Sequence, residues 1–148
     1  MVNERVLRAA RPEDARAVAR VHREARLEAM PWLPELHTPA EDVDFFAAAL
    51  ARDEARVGES GGLVVAFAVV SGDELAHLYV APAAQRQGFG SALLDWAKEL
   101  GPGGLWLWVF QRNERARRFY EERGFRLVEL TDGAANEERE PDARYAWP

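Results

Sequence analysis

The sequence lacks cysteine altogether, which excludes disulfide bonds, thiolate metal sites and cysteine nucleophiles. It also lacks any apolar run near the roughly 20 residues that a membrane-spanning helix needs, and its first residues carry no signal-peptide core. We therefore expect a cytoplasmic protein that has no membrane partner. The histidines, His22, His37 and His77, show no paired ligand spacing, so we also expect no metal site.

A net positive charge is missing as well. The formal charge is −6, whereas general affinity for nucleic acid depends on clustered Lys and Arg that neutralise phosphates. The main basic cluster is Arg112, Arg115, Arg117 and Arg118, which is either a solvated helix face or a patch that helps to attract a polyanionic cofactor. We expect no nucleic-acid partner.

The residues that are present describe an ordinary globular protein, with 48% hydrophobic and 30% charged residues in a chain of 148. This length predicts one domain over residues 1–148. Periodicity and turn signals predict helices near residues 12–29, 40–51, 91–100 and 113–124. They predict strands near residues 6–9, 55–59, 62–70, 74–80, 105–110, 125–130 and 144–147.

The strands between residues 55 and 80 are joined by short turns, so we expect an antiparallel meander. A helix then separates strand 74–80 from strand 105–110, which predicts a parallel pair with a right-handed crossover. The expected fold class is therefore α/β, with a single mixed and mostly antiparallel sheet, a parallel central strand pair and flanking helices.

The most informative segment joins strand 74–80 to the next helix. The strand stops at Pro82, and Gly88 and Gly90 stand where the helix begins. Glycines let the backbone approach a ligand closely, and the unpaired amides of a first helical turn attract anions, so the segment predicts a phosphate or pyrophosphate site. A dinucleotide fingerprint would need a third glycine where Leu93 stands, and the Walker Gly-Lys-Ser/Thr sequence is absent.

The run from Gln85 to Gly90 resembles the Gln/Arg-x-x-Gly-x-Gly/Ala loop of the GCN5-related N-acetyltransferases, the GNAT family. The resemblance continues through strands 78–80 and 105–110, Asn113 and the run from Ala116 to Phe125, in the family's order. It implies the acyl-CoA N-acyltransferase fold and transfer of acetyl from acetyl-CoA to a small amine, amino acid or peptide amine in a ternary complex. A non-catalytic acyl-CoA-binding or regulatory module is the alternative.

The resemblance also implies how the cofactor is held. Arg86 and the following amides would bind the pyrophosphate, while strand 78–80 would hydrogen-bond the pantetheine arm near Asn113, which is also a good helix cap. The residues expected to bind acetyl-CoA are Leu78, Tyr79, Val80, Gln85, Arg86, Gln87, Gly88, Phe89, Gly90, Ser91 and Asn113.

Two groups are expected to move protons. Tyr120 matches the family tyrosine that protonates the sulfur of coenzyme A, although it could also pack in the core with Phe119. Several members place a glutamate that acts as the general base where this chain has Trp108, whereas others place a glutamate or a histidine where this chain has Glu74.

Glu74 is therefore the preferred general base, with a surface carboxylate as the equally open interpretation. Strand alternation predicts that Glu74 shares a face with Ala76, Leu78 and Val80, and that His77 lies on the opposite face.

The resemblance implies that two loops, residues 30–37 and 131–142, form the groove for the acceptor. The residues expected to contact it are Trp32, Leu33, Asn136 and Glu137. An apolar wall beside the carboxylates of the second loop suits a cationic amine, although acidic loops are often merely solvated. We expect a monomer or a homodimer.

Overall fold

The computed structural model describes residues 5–148, which contain seven strands and four α-helices. The elements are β1 (Arg5–Ala9), α1 (Ala15–Ala29), α2 (Pro39–Arg52), β2 (Glu54–Ser60), β3 (Leu63–Ser71), β4 (Glu74–Val80), α3 (Phe89–Leu100), β5 (Leu105–Phe110), α4 (Glu114–Glu122), β6 (Arg126–Leu130) and β7 (Asp142–Trp147). Within these residues, no helix is both long and apolar enough to cross a membrane.

One sheet contains all the described strands, in the order β1-β2-β3-β4-β5-β7-β6. Neighbouring strands are antiparallel except β4 and β5, which run parallel because α3 carries the chain between them. This arrangement confirms the predicted α/β class, with its meander, its parallel pair and its flanking helices.

The helices form where the sequence supplies an apolar stripe and an N-terminal cap. In α1, buried Val18, Val21 and Ala25 face the sheet. Helix α2 begins with a capping box, in which the Glu41 amide donates to Thr38 Oγ1 at 3.2 Å and the Thr38 amide donates to Glu41 Oε1 at 2.8 Å. These caps and stripes hold α1 and α2 together over the sheet.

Helix α3 is fixed at its first residue by close packing. Phe89 is 1% exposed, and a Cβ added to Gly58 of β2 would lie 2.6 Å from Phe89 Cδ1. Only glycine therefore allows the ring to lie against β2 in this position. The contact anchors the start of α3 beside the end of β4, where the glycine loop approaches the sheet.

A β-bulge interrupts β4. Val70 and Val69 of β3 pair with Leu75 and His77 of β4, so Ala76 is an extra residue without a partner on β3. Because an added residue shifts the alternation of side chains by one, the part of β4 before the bulge has the opposite phase from the part after it.

The bulge corrects one prediction. Glu74 pairs with Ser71 and, across the bulge, shares the face of His77 and Tyr79. The expectation that Glu74 shares a face with Leu78 and Val80, opposite His77, is therefore wrong. Its cause is the inserted Ala76, which a strict two-residue alternation does not allow for.

Strands β4 and β5 are paired only at their beginnings. Glu74 and Trp106 form the one registered pair between them, whereas β5 pairs with β7 from Leu105 to Phe110. Beyond that pair the two parallel strands separate, and their inner edges border an opening in the sheet.

Candidate active site

Two cavities lie at the opening between β4 and β5. The glycine-loop cavity, of about 520 Å³, is lined by residues from Gln85 to Ser91 and by parts of α1 and α4. The strand cavity, of about 400 Å³, is lined by Leu75–Tyr79, Leu107–Phe110 and part of the loop between β6 and β7. The residues that line both cavities are Met30, Leu78, Tyr79, Asn113, Ala116 and Tyr120. The two cavities are therefore parts of one cleft that meet at a common wall.

The glycine loop adopts left-handed backbone conformations just before α3. Gly88, the residue before the helix, has φ of 85°, and Arg86 has φ of 65°, which is unusual for a residue with a side chain. Gly88 to Ser91 line the cavity, so the first turn of α3 presents its unpaired amides there. This geometry suits an anionic ligand at the helix N-terminus.

Three arginines add positive charge to the glycine-loop cavity. They are Arg86, Arg115 and Arg123. Arg123 lies over the Phe119 ring at 3.9 Å and donates to Ser91 Oγ at 2.9 Å, whereas Arg115 pairs with Glu28 at 2.8 Å. Arg123 could not be predicted as a site residue from the sequence, because only the tertiary fold brings the end of α4 to the start of α3.

Tyr120 belongs to the common wall. Its side chain is 9% exposed, and its hydroxyl has no hydrogen-bond partner among residues 5–148. Burial raises the pKa of Tyr120 well above its usual range, so the phenol is neutral and can donate a proton. Asn113, also in this wall, caps α4 by accepting from the Ala116 amide at 3.2 Å.

His77 lines the strand cavity among aromatic rings. Its ring centroid lies 5.1 Å from that of Phe46 and 6.2 Å from that of His22. Burial lowers the pKa of each histidine to about 4, so both are neutral at pH 7. His22 Nδ1 is buried and, within the described chain, has no hydrogen-bond partner. Strict alternation predicts that His77 lies on the face opposite Glu74, because it does not allow for the bulge at Ala76.

Glu74, the predicted base, lines neither cavity. It lies at the start of β4, half-buried, where burial and then the neighbouring Asp73 and Asp53 raise its pKa. The structure therefore separates Glu74 from the cleft and brings His77 to it instead.

Some of the remaining predicted residues line one of the cavities, and the others make contacts outside them. All the predicted cofactor residues line the glycine-loop cavity except Gln87, whose carbonyl accepts from Arg5 Nη1 at 2.8 Å. Asn136 lines the strand cavity. Glu137 instead forms a hydrogen bond with His37, 2.8 Å from His37 Nε2 to Glu137 Oε1. This bond links the loop of residues 30–37 to the loop of residues 131–142.

Trp32 and Leu33 also lie outside the two cavities. Leu33 is buried, while Trp32 packs edge-on against Phe110 and under the guanidinium of Arg112, 4.1 Å from its ring. Arg112 in turn makes a bidentate ion pair with Glu140, both distances being 3.0 Å. Trp32 therefore supports the loop of residues 131–142 from behind.

Known proteins similar to this chain are acetyltransferases. A model of the acetyltransferase (GNAT) domain matches residues 44–127. The peptidyl-lysine N-acetyltransferase YiaC of Escherichia coli is 34% identical over 90 residues, covering 61% of this chain and 60% of that protein. A probable N-acetyltransferase of Mycobacterium tuberculosis is 35% identical over 80 residues, covering 48% and 45%. The chain thus spans about half the length of the curated relatives it matches.

Solved structures show the same fold. A GCN5-related N-acetyltransferase from Rhodopseudomonas palustris has a TM-score of 0.83 at 22% identity, covering 99% of this chain and 97% of that one. The PaiA N-acetyltransferase of Thermoplasma acidophilum, solved in complex with coenzyme A, has a TM-score of 0.78 at 18% identity, covering 97% and 98%.

The partly buried histidines, His22 and His77, predict acid sensitivity. Their pKa of about 4 in the folded protein lies below the ordinary 6.5, so between these values the unfolded chain binds more protons. We expect the free energy of unfolding to fall by a few kcal/mol, on the order of 3 per histidine at most, from pH 6.5 to pH 4. Urea titrations across this range should show a flatter dependence for the His22→Phe/His77→Phe variant. Equal slopes would contradict the prediction.

Proposed function

Because the chain belongs to the GNAT family of acetyltransferases, we propose that it transfers the acetyl group of acetyl-CoA to a primary amine in a ternary complex. The observation that carries this proposal is the common wall between the two cavities. The cofactor would occupy the glycine-loop cavity and the acceptor the strand cavity. Their reacting ends would then meet beside Leu78 and Tyr120.

The glycine-loop cavity suits the polar part of the cofactor. Arg86, the amides from Gln87 to Ser91 and the added charge of Arg123 would bind the pyrophosphate, which is favoured at a helix N-terminus. The inner edge of β4 from Leu78 to Val80 would hydrogen-bond the pantetheine amides, because β5 has separated from it there. Asn113 would contact the same arm.

The chemistry would take place at the common wall. The neutral amine attacks the thioester carbonyl, whose oxygen accepts from a main-chain amide of β4. This attack forms the C–N bond, and collapse of the tetrahedral intermediate then restores the C=O bond and breaks the C–S bond, while the nitrogen loses its surplus proton to solvent. The departing thiolate takes the proton of Tyr120, whose raised pKa keeps the phenol protonated until the thiolate develops.

We propose His77, in place of Glu74, as the group that accepts the proton of the amine. His77 lines the strand cavity and is neutral at pH 7, whereas Glu74 lines neither cavity. The burial that lowers the His77 pKa also lowers the pKa of an ammonium brought beside it, so proton transfer is less unfavourable than their values in water imply. Tyr120 later regains a proton from solvent, and His77 releases its proton to solvent, so both groups return to their neutral forms.

The glycine loop can be tested by cofactor binding. Replacing Gly88 with alanine forces a side chain into a left-handed conformation, which costs about 1 to 2 kcal/mol. If binding requires this conformation, the Kd for coenzyme A should rise about tenfold in calorimetry. Gly72→Ala is the matched control, since Gly72 has φ of 63° and lies in a turn outside the cleft. An equal Kd in both variants would contradict the assignment.

The role of Tyr120 can be tested by turnover. Tyr120→Phe removes the proton donor and keeps the ring, so kcat for thiol release should fall about a hundredfold while the Kd for coenzyme A changes little. A thiol-reactive dye reports the release with acetyl-CoA and a panel of primary amines. Unchanged kcat would remove Tyr120 from the mechanism. Coenzyme A binding without thiol release by wild type would favour the alternative, a non-catalytic binding module.

The proton acceptor can be assigned by comparing two conservative variants. Glutamine keeps a polar group but cannot take a proton, so His77→Gln should lower kcat at pH 7 by about a hundredfold. Glu74→Gln should retain turnover within about threefold, because Glu74 lies outside the cleft. Steady-state rates of both variants and wild type from pH 6 to about pH 9 should show which residue accepts the proton. The reverse ranking of the variants would restore Glu74 as the base.

A further inference from the structure

Of the residues that line the strand cavity, Asp142 alone carries a carboxylate. It is the first residue of β7 and pairs with Phe110, the last residue of β5. Asp142 lines the strand cavity only, whereas Tyr120 also lines the glycine-loop cavity. The carboxylate therefore belongs to the part of the cleft that lies outside the glycine-loop cavity.

The charge of Asp142 has no cationic partner within residues 5–148. Its two oxygens accept hydrogen bonds from neutral donors, the Thr131 hydroxyl and Asn136 Nδ2, the latter at 3.1 Å. Neutral donors fix the orientation of a carboxylate but leave its charge in place, and the remaining lone pairs can accept from a ligand.

The neighbouring acids behave differently. Glu140 is paired with Arg112, and Glu137 with His37. The same loop thus pairs Glu140 with a guanidinium and Glu137 with an imidazole, whereas Asp142, which lines the cavity, has neither kind of partner in the described chain. A partly buried carboxylate in this state attracts a cation more strongly than a solvated one does.

The strand cavity has an apolar wall, which includes Leu107, Val109, Phe110 and Met30. The Tyr120 side chain, which also lines the cavity, is 9% exposed, and its hydroxyl has no hydrogen-bond partner in the described chain. The cavity therefore contains a site of reaction, a surface for methylene groups and an anion.

We propose that the acceptor is an aliphatic amine with a second cationic group, which Asp142 binds while the first amine reacts. This inference rests on the proposed acetyl transfer and specifies its substrate class. The reacting nitrogen lies beside Tyr120 and His77, and a short methylene chain crosses the apolar wall. Such an acceptor carries two positive charges before it reacts. It is either a free diamine or a lysine side chain in a basic peptide.

The test compares cadaverine with hexylamine, in which a methyl group replaces the second ammonium at equal chain length. For wild type, kcat/KM should be at least about tenfold higher for cadaverine, mainly through a lower KM. A blocked lysyl-lysine dipeptide forms the peptide arm, and whichever of the two dications has the higher kcat/KM identifies the source.

Asp142→Asn removes the charge but keeps the shape and both contacts, because its Oδ1 can accept from Asn136 Nδ2 while its Nδ2 donates to Thr131 Oγ1 in the reversed direction. It should raise KM for cadaverine and bring the cadaverine-to-hexylamine ratio close to one. Asp132→Asn is the matched control, because it removes the same charge from the same loop at an exposed position outside the cavity. The ratio for this control should equal that of wild type.

Equal kcat/KM for the two amines in wild type would overturn the inference, and that comparison needs no variant. A ratio that survives in a folded Asp142→Asn protein would overturn it as well. Either result leaves the proposed acetyl transfer standing as long as one amine releases thiol. Absence of thiol release with every amine would instead defeat the proposed function.

Discussion

The separation of β4 from β5 is the constraint on which the rest of the structure depends. After the pair formed by Glu74 and Trp106, β4 remains bonded to β3 and β5 to β7, so the sheet stays intact on both sides of the opening. The parted edges, closed by α1 and α4, create both cavities and the wall between them. A continuous parallel pair would leave neither a free β4 edge nor room for two ligands to meet.

Much of the fold could be predicted because its signals are local. The helices carry apolar stripes and caps, and the meander has short turns between apolar strands. The insertion of β7 between β5 and β6 could not be predicted in this way, since it depends on pairing between segments distant in sequence. The bulge at Ala76 was missed for a related reason, because its extra residue is defined only by the partner strand.

In the candidate site, too, local sequence patterns could be recognised, whereas contacts between distant segments could not. The glycine loop and Tyr120 could be identified because their patterns occupy short, continuous runs of sequence. His77, Arg123 and Asp142 could not, because each acquires its surroundings from other elements: His77 from α1 and α2, Arg123 from the start of α3, and Asp142 from the cavity itself. In each case a residue type was visible, but its partners and burial were not.

Arg112 has a wider effect than its surface position suggests. Its guanidinium stacks on Trp32 in the loop of residues 30–37 and pairs with Glu140 in the loop of residues 131–142, while His37 and Glu137 make a second link between these loops. The two loops therefore behave as a single unit attached to the end of β5. A change in the length or backbone path of one loop should therefore displace the other loop as well, whereas replacing a single cavity-lining side chain, such as Asp142, leaves both links in place.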